Sequence, residues 1–339
     1  MTVMNVRRLI PTATMAGAVA LGMVALSACS SSDAADKKSG GGKLAVTASF
    51  YPMQFLAEEI GGDHVSVTTL TKPGVEPHDL ELKPRQAAQL GEADVILYLK
   101  GIQPAVDKAI AQSGVKNTVD ATTLTTMEKH GTEAGGHSHA DDEHADGDDH
   151  ADDETHKAED EEASADGNDP HIWLDPVKYA EVAKGVGAAL EKADPDHAAA
   201  YKKNTAALVT KLDGLNTAFK DGLADTTTKT FITTHAAFGY LAERYGLEQE
   251  AIAGIDPESE PSPARVKELE TIAKRDKVST VFFETLASDK TAKTLAGDSG
   301  LKTDVLDPLE GITDRSKGAD YLEVMRANLD ALRKALGAK

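Results

Sequence analysis

Histidine and carboxylate side chains recur in this 339-residue chain where the backbone is held stiff, a pattern suited to gripping a divalent cation. His171 stands in Asp169-Pro170-His171-Ile172-Trp173-Leu174-Asp175-Pro176, where prolines and apolar neighbours keep an imidazole still. His78 follows Pro77 in a loop that also contains Pro73 and Gly74. His235, Glu284 and Asp307 each come directly after a short apolar run that reads as a strand. Taken singly, each of these also suits an ordinary buried or surface polar group. Taken together, His78, His171, His235 and Asp307 offer three imidazole nitrogens and a carboxylate oxygen. Zn2+ accepts that set at about 2.0–2.2 Å, usually in a tetrahedron. Mn2+ prefers more oxygen donors, so Zn2+ is the first choice and Mn2+ the second. Four protein ligands leave no position for a catalytic water, and HExxH is absent, so binding is favoured over hydrolysis. Glu284 is either a fifth oxygen or an acceptor that orients an imidazole N–H, and the second role is the expected one.

The elements that must position these groups alternate. Residues 43–49 read as a buried strand, 53–60 as a helix ended by Gly61 and Gly62, and 65–70 as a second strand. Helices over 84–91 and 104–112 flank a strand at 94–99. Later, strands at 230–234, 247–253, 280–283 and 302–306 alternate with helical stretches, and the chain closes on a helix carrying Leu322, Met325, Leu329, Leu332 and Leu336. This alternation predicts an α/β fold of βαβ units with parallel sheets. In such sheets ligands bind just beyond the carboxyl ends of the strands, where His235, Glu284 and Asp307 fall. Between the two alternating regions, Asp175 is a natural N-cap with Pro176 at the first helical position. A second start at Asp194-Pro195 opens a helix of about 25 residues, roughly 40 Å long. It is either a rigid spine between two lobes or an ordinary surface helix.

Composition narrows the class. Most of the net charge of −20 sits between Glu128 and Asp169, a stretch nearly free of large apolar side chains and expected to be disordered. His130, His137, His139, His144, His150 and His156 fall there. The stretch is a weak multisite metal collector or simply a solvated acidic loop, and none of its histidines is singled out as a ligand. His64 and His197 read as ordinary surface residues. No basic patch suggests nucleic acid, and no GxxxxGK[ST] motif suggests a P-loop ATPase. At the start, Arg7 and Arg8 precede a short apolar run and then Leu26-Ser27-Ala28-Cys29. That is the pattern of a secretory signal ending in what resembles a bacterial lipobox, with Cys29, the single cysteine, as the lipidated residue. Residues 30–43 read as a flexible tether.

Four stretches in order resemble the motifs of one family: the solute-binding lipoproteins of bacterial zinc and manganese ABC importers, cluster A-I. They are Gly74-Val75-Glu76-Pro77-His78-Asp79, residues 169–176, Thr234-His235-Ala236-Ala237-Phe238-Gly239-Tyr240, and Leu306-Asp307-Pro308-Leu309. The resemblance covers about residues 44–337. It implies two Rossmann-like βα lobes joined by one long rigid helix, with the metal site in the cleft between them. It implies ligands at His78, His171, His235 and Asp307, and delivery of Zn2+ to a membrane ABC permease. Manganese members tend to carry Glu at the third ligand position, so His235 fits the zinc branch. The expected organisation is a signal peptide at 1–28, lipidated Cys29 and tether at 29–43, and an N-terminal lobe at 44–193 including the 128–168 loop. A linker helix follows at 194–224 and a C-terminal lobe at 225–339. The expected setting is the outer face of the cell membrane, with the chain a lipid-anchored monomer and not an enzyme. A manganese-binding homologue, an adhesin-like surface lipoprotein and, less favoured, a zinc hydrolase are the alternatives.

Overall fold

The computed structural model describes residues 42–131 and 167–339. The expected signal peptide, Cys29 and most of the tether lie outside them, as do His137, His139, His144, His150 and His156.

Seven elements build the first half: β1 (Leu44–Ala48), α1 (Tyr51–Gly61), β2 (Val65–Thr69), α2 (Pro84–Leu90), β3 (Val95–Tyr98), α3 (Pro104–Ser113) and β4 (Thr118–Asp120). The strands are parallel in the order β2-β1-β3-β4, with Leu44 to Ala48 in register against Val65 to Thr69. Two helices follow, α4 (Pro176–Ala193) and α5 (Ala198–Gly222). The second half repeats the scheme with β5 (Thr230–Thr233), α6 (Gly239–Tyr245), β6 (Glu248–Ala251), α7 (Pro263–Arg275), β7 (Thr280–Phe283), α8 (Lys290–Ser299), β8 (Lys302–Val305) and α9 (Tyr321–Leu336). Its strands are parallel in the order β6-β5-β7-β8. Consecutive buried residues such as Val95, Ile96 and Leu97 mark strands covered on both faces, as parallel sheets require. In each sheet the chain first builds to one side of its opening strand and then crosses to the other. A crevice therefore opens beyond the carboxyl ends of β1 and β3, and another beyond β5 and β7.

The two halves are joined by more than a linker. One apolar core runs from Phe50 and Leu56 through Trp173, Tyr179, Tyr201 and Leu212 to Phe231, Phe238 and Met325. Smaller cores sit under α7 and α8 and under α2 and α3. Helix α5 packs on α1 and α4 along the first half and on α9 in the second, burying Tyr201, Leu208, Leu212, Leu215 and Phe219. It therefore bridges both halves along one buried face while its other face stays exposed. Polar latches add to the seam. Asp175 caps α4 by accepting from Val177 N at 2.9 Å, while its other oxygen accepts from the Arg244 guanidinium of α6 at 2.6 Å. The Tyr321 hydroxyl of α9 donates to the Trp173 carbonyl at 2.5 Å. Among the described residues no helix is long and apolar enough to cross a membrane.

Candidate metal centre

His78 lies in the loop after β2, His171 just before α4, His235 just after β5, and Glu310 in the loop after β8. Their donor atoms converge. Glu310 Oε1 stands 3.3 Å from His78 Nε2, 3.2 Å from His171 Nε2 and 3.4 Å from His235 Nε2, and the last two nitrogens are 3.4 Å apart. A tetrahedron with corners about 2.0 Å from its centre has edges of roughly 3.3 Å, the spacing a zinc ion imposes on its ligands. His171, His235 and Glu310 are buried and His78 nearly so.

Behind the imidazoles stand carboxylates. Asp169 Oδ1 is 2.7 Å from His171 Nδ1 and also accepts the His171 backbone N–H at 2.9 Å. Glu284 Oε1 is 2.6 Å from His235 Nδ1 and is further held by the Thr234 hydroxyl. With each Nδ1–H donated to a carboxylate, each Nε2 presents its lone pair to the centre of the cluster. Without an ion the same carboxylates hold protons on the rings. Burial alone would lower the His171 pKa, but the hydrogen bond and charge of Asp169, then those of Glu310, raise it above its ordinary value. His235 behaves alike: against burial, the charge and hydrogen bond of Glu284, with help from Glu310, carry it well above the usual range. Glu310 is held well below its usual value, its burial outweighed by the three surrounding imidazoles. Next to it, burial and the Glu310 charge push Glu76 up to about 9. Glu76, Glu284 and Glu310 each keep one buried oxygen with no hydrogen-bond partner. So much buried acid is costly unless a cation joins it.

Asp307, expected as the fourth ligand, does not enter the cluster, and Glu310 stands in its place. The reason is local. Asp307 Oδ1 accepts the backbone N–H of Leu309 at 2.9 Å, an Asx-type turn, and Oδ2 accepts from Thr285 Oγ1 at 3.2 Å and Ser316 Oγ at 2.8 Å. Asn328 of α9 clamps the Asp307 backbone from both sides, accepting its N–H at 3.0 Å and donating to its carbonyl at 2.7 Å. The carboxylate at 307 is thus used up in shaping the turn that presents the one at 310. Leu309 lies within that turn at φ 60°, a left-handed conformation that costs a side-chain-bearing residue about 1–3 kcal/mol. Trp173 pins the same turn, donating Nε1–H to the Pro308 carbonyl at 2.7 Å. Trp173→Phe leaves that buried carbonyl unpaired. It should cost about 1–3 kcal/mol of stability in denaturant titration, with a smaller loss of metal affinity from a looser Glu310.

Glu284 falls where an orienting acceptor would, whereas Asp169, which plays the matching part for His171, was not anticipated. Its signal was the spacing: an Asp two residues before a His, across a proline. His64 and His197 stack on each other with ring centres 4.1 Å apart and lie outside the cluster.

Residues 46–335 match the family model described as zinc-uptake complex component A, periplasmic. The chain is 36% identical over 319 residues to zinc-binding lipoprotein AdcA of Streptococcus pneumoniae, covering 91% of this chain and 58% of that protein. It therefore spans little more than half the length of that relative. It is 38% identical over 323 residues to high-affinity zinc uptake system protein ZnuA of Bacillus subtilis, covering 93% of this chain and 94% of that one. The crystal structure of the Zn(II)-bound ZnuA-like domain of Streptococcus pneumoniae AdcA superposes with a TM-score of 0.68 at 32% identity, over 87% of this chain and 99% of that one.

Proposed function

The chain belongs to the family of zinc-uptake complex A components, and from that premise we propose that it captures a single Zn2+ outside the cell and passes it to a membrane ABC permease. The observation that carries this reading is the convergence of His78, His171, His235 and Glu310, whose donor atoms all lie within 4.8 Å of one another with Glu310 Oε1 3.2–3.4 Å from each Nε2. The ion is cargo. Three neutral imidazoles and one carboxylate bring its charge down to a single positive unit, and Asp169 and Glu284 behind the rings more than offset the remainder. Four protein donors complete a tetrahedral shell and leave no place for a reacting water, which favours carriage over hydrolysis. Lipidation at Cys29 would hold the protein at the membrane surface, on the tether of residues 30–43.

Nitrogen donors in three of the four positions favour Zn2+ over Mn2+. Elemental analysis of the chain from Lys43 onward should find about one tightly held zinc per molecule. In a competition titration Zn2+ should displace Mn2+ completely at equal concentrations. Equal or reversed preference would remove the zinc assignment, and a chain without tight metal would remove the whole reading.

A further inference from the structure

We propose that the ion enters and leaves the buried centre through the cavity between α1 and the loop from Glu310 to Asp320, and that Glu310 is the first of the four ligands it meets. This rests on the reading of the ion as cargo. The cavity measures about 320 Å³ and lies across the seam between the two halves. Helix α1 gives one wall with Tyr51, Phe55 and Glu58, and the loop after β2 gives a second with Thr71 and Lys72. The loop after β8, from Glu310 to Asp320, gives the third.

Three features make this a passage rather than a surface hollow. The first is its depth. Phe55, Thr71, Glu310 and Gly311 are buried, whereas Glu58, Lys72, Pro73 and Ala319 are exposed, so the cavity runs from solvent to a metal ligand. The cavity over α3 and β4, lined by Tyr98 and Asp107, touches none of the four ligands.

The second is a free oxygen. Glu310 Oε1 is engaged by the three imidazoles, while Oε2 is buried with no hydrogen-bond partner. A carboxylate offers lone pairs on both oxygens. An ion arriving from the cavity bonds Oε2 first and then moves to Oε1 and the imidazoles, giving up one water for each protein donor it gains.

The third is room and charge. Six waters at roughly 30 Å³ each fill about 180 Å³, so a fully hydrated ion fits and sheds no water before it reaches Glu310. On the walls, Lys211 answers Glu59 at 2.7 Å, and Glu58 and Asp320 together outnumber Lys72. The Tyr51 hydroxyl reports the resulting field: burial first, then the charge of Asp320, with Glu58 adding to it, holds it above its ordinary range. A negative cleft with low-dielectric walls concentrates cations and speeds their capture.

The test is stopped-flow mixing of zinc chloride with the full chain freed of metal. It is followed by fluorescence of Trp173, the single tryptophan, whose ring lies 5.1 Å from that of His171, and by depletion of a fluorescent zinc indicator. Dissociation is read by adding excess EDTA. Ala319→Trp narrows the mouth without touching a ligand. It should slow association and dissociation by one common factor, roughly tenfold, and leave Kd in place. Glu58→Gln with Asp320→Asn should slow association about tenfold at low salt, the low end of what such steering contributes, and the difference should close at high salt. Association rates unchanged in both variants would overturn the proposal, as would a loss of affinity with the association rate intact. A wild-type chain that takes up no tight zinc would remove the proposed function itself, so the two failures are told apart.

Discussion

Replacing Glu310 by Ala should lower zinc affinity by two to three orders of magnitude, whereas Asp307→Asn should cost tenfold or less. A tetrahedral zinc site of this kind is worth about 10–16 kcal/mol at neutral pH, so one of four ligands carries roughly 3–4 kcal/mol, or two to three powers of ten. Glu310 is also the only charged donor in the cluster, touching all three Nε2 atoms. Asp307 acts at one remove. An Asn there keeps the oxygen that accepts the Leu309 N–H, and its amide still faces the Thr285 and Ser316 hydroxyls, which can accept as well as donate. Competition against a chelator of known affinity separates the two variants. If Asp307→Asn proved the more damaging, the fourth ligand would return to 307 and the turn would have to be redrawn.

Acid should release the ion steeply, by about a hundredfold for each pH unit below neutrality, because zinc must displace a proton from both His171 and His235. Both rings are held above the ordinary imidazole value of about 6.5 in the metal-free protein. Proton competition therefore begins at a higher pH than for free histidine. Glu310, held well below its usual value, stays ionised across this range and adds no proton of its own. Stability of the metal-free chain runs the other way. The raised imidazoles contribute stability that is full below about 6.5 and lost as pH climbs through their folded values. The depressed Glu310 contributes stability present above about 4.3 and lost as pH falls through its folded value. The metal-free protein should thus be firmest on the mildly acidic side, and the gap in melting temperature between loaded and empty forms should widen from pH 6 to pH 8. Thermal scans across that range, with proton release on zinc uptake measured in buffers of differing ionisation heat, check both halves. A gap that narrowed with rising pH would contradict the assigned protonation.

Much of this was legible in the sequence because the signals were local. Asp175 and Pro176 start α4 as their types dictate, and the buried runs at β3 and β7 declare strands covered on both faces. Strand β4 escaped notice because Thr118–Asp120 is three residues with no buried side chain, completed only by pairing with β3. Helix α8 escaped because Ala292, Leu295 and Ala296 give it too thin a buried stripe to stand out. At the site, looking directly after strands picked out His235, which enters the cluster, and passed over Glu310, which also enters it. That rule could not see that an Asp two residues before a free N–H caps its own turn and gives up its carboxylate in doing so. Nor could composition alone locate His130. It stands in a stretch that reads as unstructured, yet Gly239 and Asp169, both distant in sequence, hold it.

The continuous core has a kinetic consequence. Prising the halves apart would part Tyr321 from Phe55 and Tyr179, at about 1.5–3 kcal/mol or more for each large side chain exposed. Wholesale opening should therefore be slower than movement of the single turn from Asp307 to Glu310, where Leu309 holds a left-handed φ of 60°. The dwell time of the cation should be governed by that one short segment, and a permease that tugged on it could shorten the dwell without unfastening anything else.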